Sequence, residues 1–119
     1  MLFNINAALL DALVLAVVNT HDIYGYEITQ ILKDSLDVSE STLYPVLRRL
    51  QKDDCLEAYD REYNGRNRRY YRMTEKGRCQ LALYCQEWKR YKEKINGIML
   101  HGTDGCEDGY QKARGREND

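Results

Sequence analysis

The chain has 119 residues, 43% of them apolar and 31% charged, with a formal net charge of −1. A chain this short makes one small domain that buries only about 60–70% of its unfolded surface, which excludes a large independent core and favours association with a second subunit. The small net charge excludes a uniformly basic or acidic protein but hides an asymmetry. Residues 1–47 hold one cation, Lys33, and six acids, residues 48–94 hold fourteen Lys or Arg against eight acids, and residues 95–119 return to −2. A basic middle of this kind suits a face that meets polyanions, although many basic faces are merely solvated.

From Asn4 to Val18 the pattern predicts a helix that is apolar nearly all round, with Asp11 its only charge. Such a helix is covered on most sides, and Leu9 and Leu13 are candidates for cover by a second subunit. The apolar run Ala7 to Val18 is too short for a bilayer, which takes ~20 residues. No basic stretch precedes it and no small-residue cleavage site follows, so a soluble, cytoplasmic protein with no membrane partner is expected. Asn19-Thr20-His21-Asp22 is a polar break, with Asp22 a candidate cap for the next helix.

A second helix is predicted over Tyr24 to Leu36, with Ile28, Ile31 and Leu32 on its apolar face and Glu27, Gln30, Lys33 and Asp34 outside. Asp37-Val38 connects it to a third helix capped by Ser39. There Leu43, Val46, Leu47 and Leu50 recur at i, i+3, i+4 and i+7 and face inward, leaving Thr42, Arg48, Arg49 and Lys52 outward or flanking. Pro45 removes one helical hydrogen bond, at ~3 kcal/mol in a regular helix, so either the helix kinks or the Ser41 carbonyl finds another donor.

Leu56–Tyr63 and Arg66–Met73 read as two strands joined at Asn64-Gly65, a pair that favours a two-residue type I′ turn. That turn sets residues whose numbers sum to 129 opposite each other. Glu57, Tyr59, Arg61 and Tyr63 then share a face with Arg72, Tyr70, Arg68 and Arg66. Leu56, Ala58, Tyr71 and Met73 form the face that packs on the helices, with Asp60 opposite Arg69. A four-residue loop, Asn64 to Asn67, would shift the pairing by two and keep the faces.

Thr74 caps a last helix running to about Leu100. On it Leu81, Tyr84, Trp88, Tyr91, Ile95 and Ile98 recur at a 3-4-3-4-3 spacing, a heptad seam. At 1.5 Å per residue the helix is ~40 Å long, more than the small body beside it can cover, which argues for a homodimer. Residues 101–119 carry Gly102, Gly105, Gly109 and Gly115 and little that is apolar, and read as a mobile tail.

The four cysteines, at 55, 79, 85 and 106, form no C-x-x-C pair, and His21 and His101 stand far apart. No metal site and no cofactor are expected. The thiols read as free in a reducing cytoplasm, with Cys79 and Cys85 as packing residues of the last helix. No Gly-rich phosphate loop and no constellation of His, Ser and carboxylates suggests an enzyme.

Tyr24-Gly25-Tyr26-Glu27, Thr42-Leu43-Tyr44-Pro45-x-Leu47-x-Arg49-Leu50, Tyr70-Tyr71-Arg72 and Thr74-Glu75-Lys76-Gly77, in that order, resemble the PadR-type transcriptional regulators over about residues 5–100. The resemblance implies a homodimeric winged-helix repressor on a palindromic DNA operator. A single helix after the wing is similar to the short branch, which includes drug-responsive repressors. In some of these a tryptophan of the last helix flanks a cavity at the dimer interface, and Trp88 matches its place. The chain departs from the family pattern at Asp53-Asp54-Cys55, where a glycine usually follows the charged pair.

The expected fold is therefore mainly α with a two-stranded β wing. Residues 1–73 make a winged helix-turn-helix, residues 74–100 a dimerisation helix, and residues 101–119 the tail. Expected DNA contacts are Ser41, Thr42 and Tyr44 near the N-terminus of the third helix, Arg48, Arg49 and Lys52 along it, and Arg66 and Arg68 at the wing tip. Tyr44 could instead belong to the core, and Tyr59, Tyr63 and Tyr70 could simply stabilise the hairpin. The expected dimer interface is Leu9, Leu13, Leu81, Tyr84, Trp88, Tyr91, Ile95 and Ile98, with Trp88 also touching an aromatic or hydrophobic effector. Two alternatives stay open: a cysteine-based redox or metal sensor on the same fold, and a winged-helix protein-interaction module without DNA.

Overall fold

A computed structural model of the chain describes residues 3–101. The tail expected over residues 101–119 lies, apart from His101, outside the described residues. The elements in order are α1 (Ala7–Thr20), β1 (Ile23–Tyr24), α2 (Gly25–Leu36), α3 (Glu40–Lys52), β2 (Leu56–Tyr63), β3 (Arg66–Met73) and α4 (Glu75–Met99). They fall into two compact units, one ending at Tyr84 and the other starting at Cys85.

The hairpin forms as its turn chemistry dictates. Leu56 pairs with Met73 and Tyr63 with Arg66, the register of a two-residue turn. Asn64 and Gly65 have φ of 53° and 79°, the two positive values a type I′ turn requires. The sheet has one strand more than expected, because Ile23 and Tyr24 pair antiparallel with Tyr71 and Tyr70 and give the order β1-β3-β2. Two residues are too few to show alternation in a sequence. Asp22 accordingly caps nothing: α2 starts after Tyr24 without a side-chain cap, and the Asp22 carboxylate accepts a hydrogen bond from the Tyr59 hydroxyl at 2.8 Å.

The core of the first unit gathers Leu10, Val14, Leu15 and Val18 of α1, Ile28 and Leu32 of α2, the α3 stripe, and Leu56, Tyr71 and Met73 of the sheet. The α3 stripe is the expected one, since Leu43, Val46, Leu47 and Leu50 are all buried, each contributing about 1.5–3 kcal/mol. Ile31 is a correction: it is exposed, and buried Thr29 takes the inward position beside Ile28, its hydroxyl donating to the Tyr26 carbonyl at 2.7 Å. Cys79 and Cys85 are also corrected, being exposed rather than packed.

Ser39 caps α3, its hydroxyl accepting from the Thr42 N–H at 3.3 Å. The helix runs through Pro45 unbroken, and the residue whose carbonyl loses its donor, Ser41, is exposed, so water can replace that donor. After α3 the chain reverses at Asp54, which takes the left-handed region at φ 64°. This is the stretch that departs from the family pattern. Aspartate tolerates that conformation better than most residues, and the turn closes with the Cys55 N–H donating to the Leu50 carbonyl at 2.9 Å.

The junction into α4 explains the Thr-Glu-Lys-Gly motif. The Thr74 hydroxyl donates to the Asp54 carbonyl at 2.6 Å and accepts from the Gly77 N–H at 2.9 Å, binding the helix start to the turn before β2. Gly77 is buried so tightly that a Cβ there would lie 2.2 Å from the Cys55 carbonyl oxygen.

Candidate nucleic-acid interface

On α3 the outward residues stand as the periodicity requires: Ser41, Thr42, Tyr44, Arg48, Arg49 and Lys52 are exposed. Tyr44 is therefore not core. Arg49 differs from its neighbours in having a partner within the protein: its guanidinium forms an ion pair and hydrogen bond with Asp11 of α1. Asp11 also accepts from the Tyr84 hydroxyl at 3.5 Å, so one carboxylate ties α1, α3 and the start of α4 together. Burial pushes the Asp11 carboxyl above its ordinary value, and Arg49 and Tyr84 oppose this.

Arg48 and Lys52 are different. Among the described residues neither has a carboxylate within ion-pair distance, and the same holds for Arg61, Arg66 and Arg68 of the hairpin. Their charge remains available to a polyanion. The buried Tyr71 of β3 lies close enough to Arg69, and to Tyr44 and Arg48 of α3, for its phenol to feel them. Burial raises the Tyr71 phenol, and the two arginines partly offset that rise.

The outer face of the sheet is a lattice of tyrosines and arginines. Tyr59 and Tyr70 stack with centroids 5.7 Å apart, and Tyr24 lies 5.9 Å from Tyr70. Arg61 lies over Tyr70 at 5.2 Å, Arg72 over Tyr59 at 4.8 Å, and Arg68 over both Tyr24 at 4.7 Å and Tyr63 at 4.2 Å. Arg72 also meets Glu57 at 3.5 Å and Asp22 at 3.9 Å, which neutralises it within the protein. Sequence reasoning placed these residues on one face but missed Tyr24 and Asp22, which come from the unrecognised β1 and the turn before it. Gly25 allows that strand to close on the sheet: a Cβ there would meet the Tyr71 ring at 3.1 Å.

The α4 seam divides. Leu81 and Tyr84 are half-buried and pack on the chain's own core, as does Leu13 of α1, while Leu9 is half-buried. Trp88, Tyr91 and Ile98 are exposed, Ile98 at 80%, and Ile95 is half-buried. Trp88 and Tyr91 form a tilted ring pair 6.4 Å apart. Among the described residues no cluster of His, Cys, Asp and Glu could hold a metal ion, and no helix is long and apolar enough to cross a membrane.

Comparison with known proteins agrees with this geometry. The chain is 42% identical over 83 residues to the transcriptional regulator Rv3488 of Mycobacterium tuberculosis, covering 69% of this chain and 74% of that one. Its structure is similar to that of smu.1704 from Streptococcus mutans UA159, with a TM-score of 0.74 and 37% identity over 99% of this chain and 100% of that one. It is also similar to a PadR family transcription regulator from Clostridium difficile R20291, with a TM-score of 0.70 and 28% identity, covering 76% and 97% of the two chains. The transcriptional regulator PadR-like family model matches residues 14–83, which run from within α1 through α3 and the hairpin past the Thr-Glu-Lys-Gly junction. With a winged helix carrying, among the described residues, cations without carboxylate partners on both its third helix and its hairpin, the chain belongs to the PadR-like family and is a DNA-binding transcriptional regulator.

Proposed function

We propose that this regulator is a cytoplasmic homodimeric repressor on a palindromic operator. Residues 1–73 serve as the DNA-binding module and residues 74–100 as the dimerisation helix. The observation that carries this reading is the set of exposed cations without carboxylate partners among the described residues, Arg48 and Lys52 on α3 and Arg66 on the hairpin, beside the exposed Ser41, Thr42 and Tyr44. In a dimer the two α3 helices enter successive major grooves ~34–36 Å apart, with the wings on the flanking backbone. Arg49, which is paired with Asp11 but still exposed, and Arg68 complete the expected DNA contacts.

The exposed Trp88, Tyr91 and Ile98, with Leu81, Tyr84, Ile95, Leu9 and Leu13, form the dimer interface in this reading. A flat aromatic or hydrophobic effector binding near Trp88 would favour a spacing of the α3 helices that no longer fits the operator, and must bind that geometry better to do so.

A footprint on the DNA upstream of the protein's own gene, at low and near-physiological salt, tests the reading. Protection of a palindrome with half-sites one helical turn apart is the expected result. Boundless protection that vanishes with salt refutes operator recognition. Quenching or shift of Trp88 fluorescence across a panel of aromatic compounds tests the effector, and an unchanged spectrum counts against it. The exposure of Cys79 and Cys85 favours a second reading, thiol-based control. Replacing the cysteines by serine abolishes an oxidant response of DNA binding if that reading is right and leaves DNA binding unaltered if it is wrong.

A further inference from the structure

We propose that Tyr24 and Tyr63 are positioning residues that hold the Arg68 guanidinium, as a preformed clamp, for a DNA phosphate. The proposal rests on the reading that the wing contacts DNA. Arg68 lies on β3, the central strand, and its two ring partners come from the strands on either side, Tyr24 of β1 and Tyr63 of β2. Each is its diagonal neighbour across the pairing, since Tyr24 is opposite Tyr70 and Tyr63 is opposite Arg66. At 4.7 and 4.2 Å from the ring centroids, the guanidinium is within cation–π range of both.

The surroundings show that this placement is built. Arg68 is directly opposite Arg61, a like-charge pair that would repel unless each is drawn aside, and Arg61 lies instead over Tyr70. Tyr24 is held by Tyr70, Tyr70 stacks on Tyr59, and the Tyr59 hydroxyl is anchored on Asp22. Arg68 is half-buried while Arg61, Arg66 and Arg69 are exposed. Its charge has no carboxylate partner among the described residues, unlike Arg69 on Asp60 and Arg72 on Glu57. An arginine fixed at folding loses less freedom on binding than a free one, and its guanidinium can still offer paired N–H groups to a phosphate. Arg66, with no ring or carboxylate partner among the described residues, is the contrasting arginine of the same wing.

The test measures binding of labelled duplexes with A·T-rich and G·C-rich sequences across a salt series, because phosphate contacts persist in nonspecific binding. Arg68→Ala is expected to weaken both by roughly 10-fold and to make the log–log salt slope shallower by about 0.9. Tyr63→Leu and Tyr24→Leu are expected to weaken binding roughly 3- to 10-fold with the slope unchanged, and the Phe variants, which keep the ring, to stay within about 2-fold of wild type. In the free protein, ring-current shifts of the Arg68 side-chain resonances should collapse in Tyr63→Leu and persist in Tyr63→Phe. Tyr24 also packs on neighbouring rings, so Tyr63→Leu, at a half-exposed position with no ring–ring pair among the described residues, decides the case if Tyr24→Leu fails to fold.

Wild-type binding by Tyr63→Leu together with weak binding by Arg68→Ala overturns the clamp and leaves the wing reading standing. Wild-type binding by Arg68→Ala, with Arg48→Ala weakened, overturns the clamp, and wild-type binding by Arg66→Ala as well removes the wing from the interface. A loss confined to one of the two duplexes overturns the phosphate assignment.

Discussion

Gly77→Ala places a methyl group where the start of α4 meets the chain before β2. The new Cβ would lie 2.2 Å from the Cys55 carbonyl oxygen, 3.1 Å from its carbonyl carbon and 2.8 Å from the Met73 sulfur. The sulfur ends a flexible side chain and can move, but the carbonyl is backbone and must retreat by about an ångström to regain ordinary contact. That carbonyl accepts the Thr74 N–H at 3.2 Å, and Thr74 in turn holds the Asp54 carbonyl and the Gly77 N–H. Retreat therefore loosens the cap as well. Overpacking costs about 1–3 kcal/mol and loss of a cap about 1 kcal/mol, while the better helix propensity of Ala returns up to about 1 kcal/mol. The expected net loss is about 2–3 kcal/mol.

Gly97→Ala in the same helix is the matched control, because a Cβ there meets nothing within 4 Å. It should stabilise by roughly 0.5–1 kcal/mol through propensity alone. Urea unfolding followed by circular dichroism, at one fixed protein concentration so that association does not confound the midpoint, measures both variants. Opposite signs are expected. A Gly77→Ala variant within about 0.5 kcal/mol of wild type, the usual span of an inconsequential surface change, would refute the close-approach argument.

Thr74→Val keeps the shape of the side chain but removes both of its hydrogen bonds at this junction, and should cost about 1–2 kcal/mol in the same unfolding assay. Asp11 should titrate above its ordinary 3.8 when followed by carboxyl NMR, because burial outweighs Arg49, and Arg49→Ala should raise it further. Since the folded state holds this proton more tightly than the unfolded chain, the contribution of Asp11 to stability falls as pH rises from about 3.8 through its folded pKa and is level above it. Ile98→Asp should dissociate a dimer formed through the α4 seam, read by sedimentation, and an unchanged sedimentation coefficient would exclude that seam.

Much of the candidate interface was legible because its signals are local. The α3 stripe follows from a period of 3.6 residues, its start from one capping serine, and the hairpin register from the two left-handed residues that Asn64-Gly65 accepts. These signals act over a few residues and survive without knowledge of the rest of the chain. They placed Arg48, Lys52, Arg66 and Arg68 on exposed faces and Leu43, Val46, Leu47 and Leu50 inside.

What tertiary structure alone decided lies in contacts between distant residues. Arg49 meets Asp11 across 38 positions, Tyr59 meets Asp22 across 37, and Tyr84 meets Asp11 across 73. Periodicity marks Arg49 as outward, and only the packing of α1 beside α3 shows that an acid waits there. Two residues cannot announce a strand, so β1, and with it the ring lattice around Arg68, exists only because β3 offers a free edge to pair with. The local chemistry of the chain determined which faces are apolar and which are cationic. Packing decided which of the cations are neutralised within the protein and which keep no carboxylate partner among the described residues.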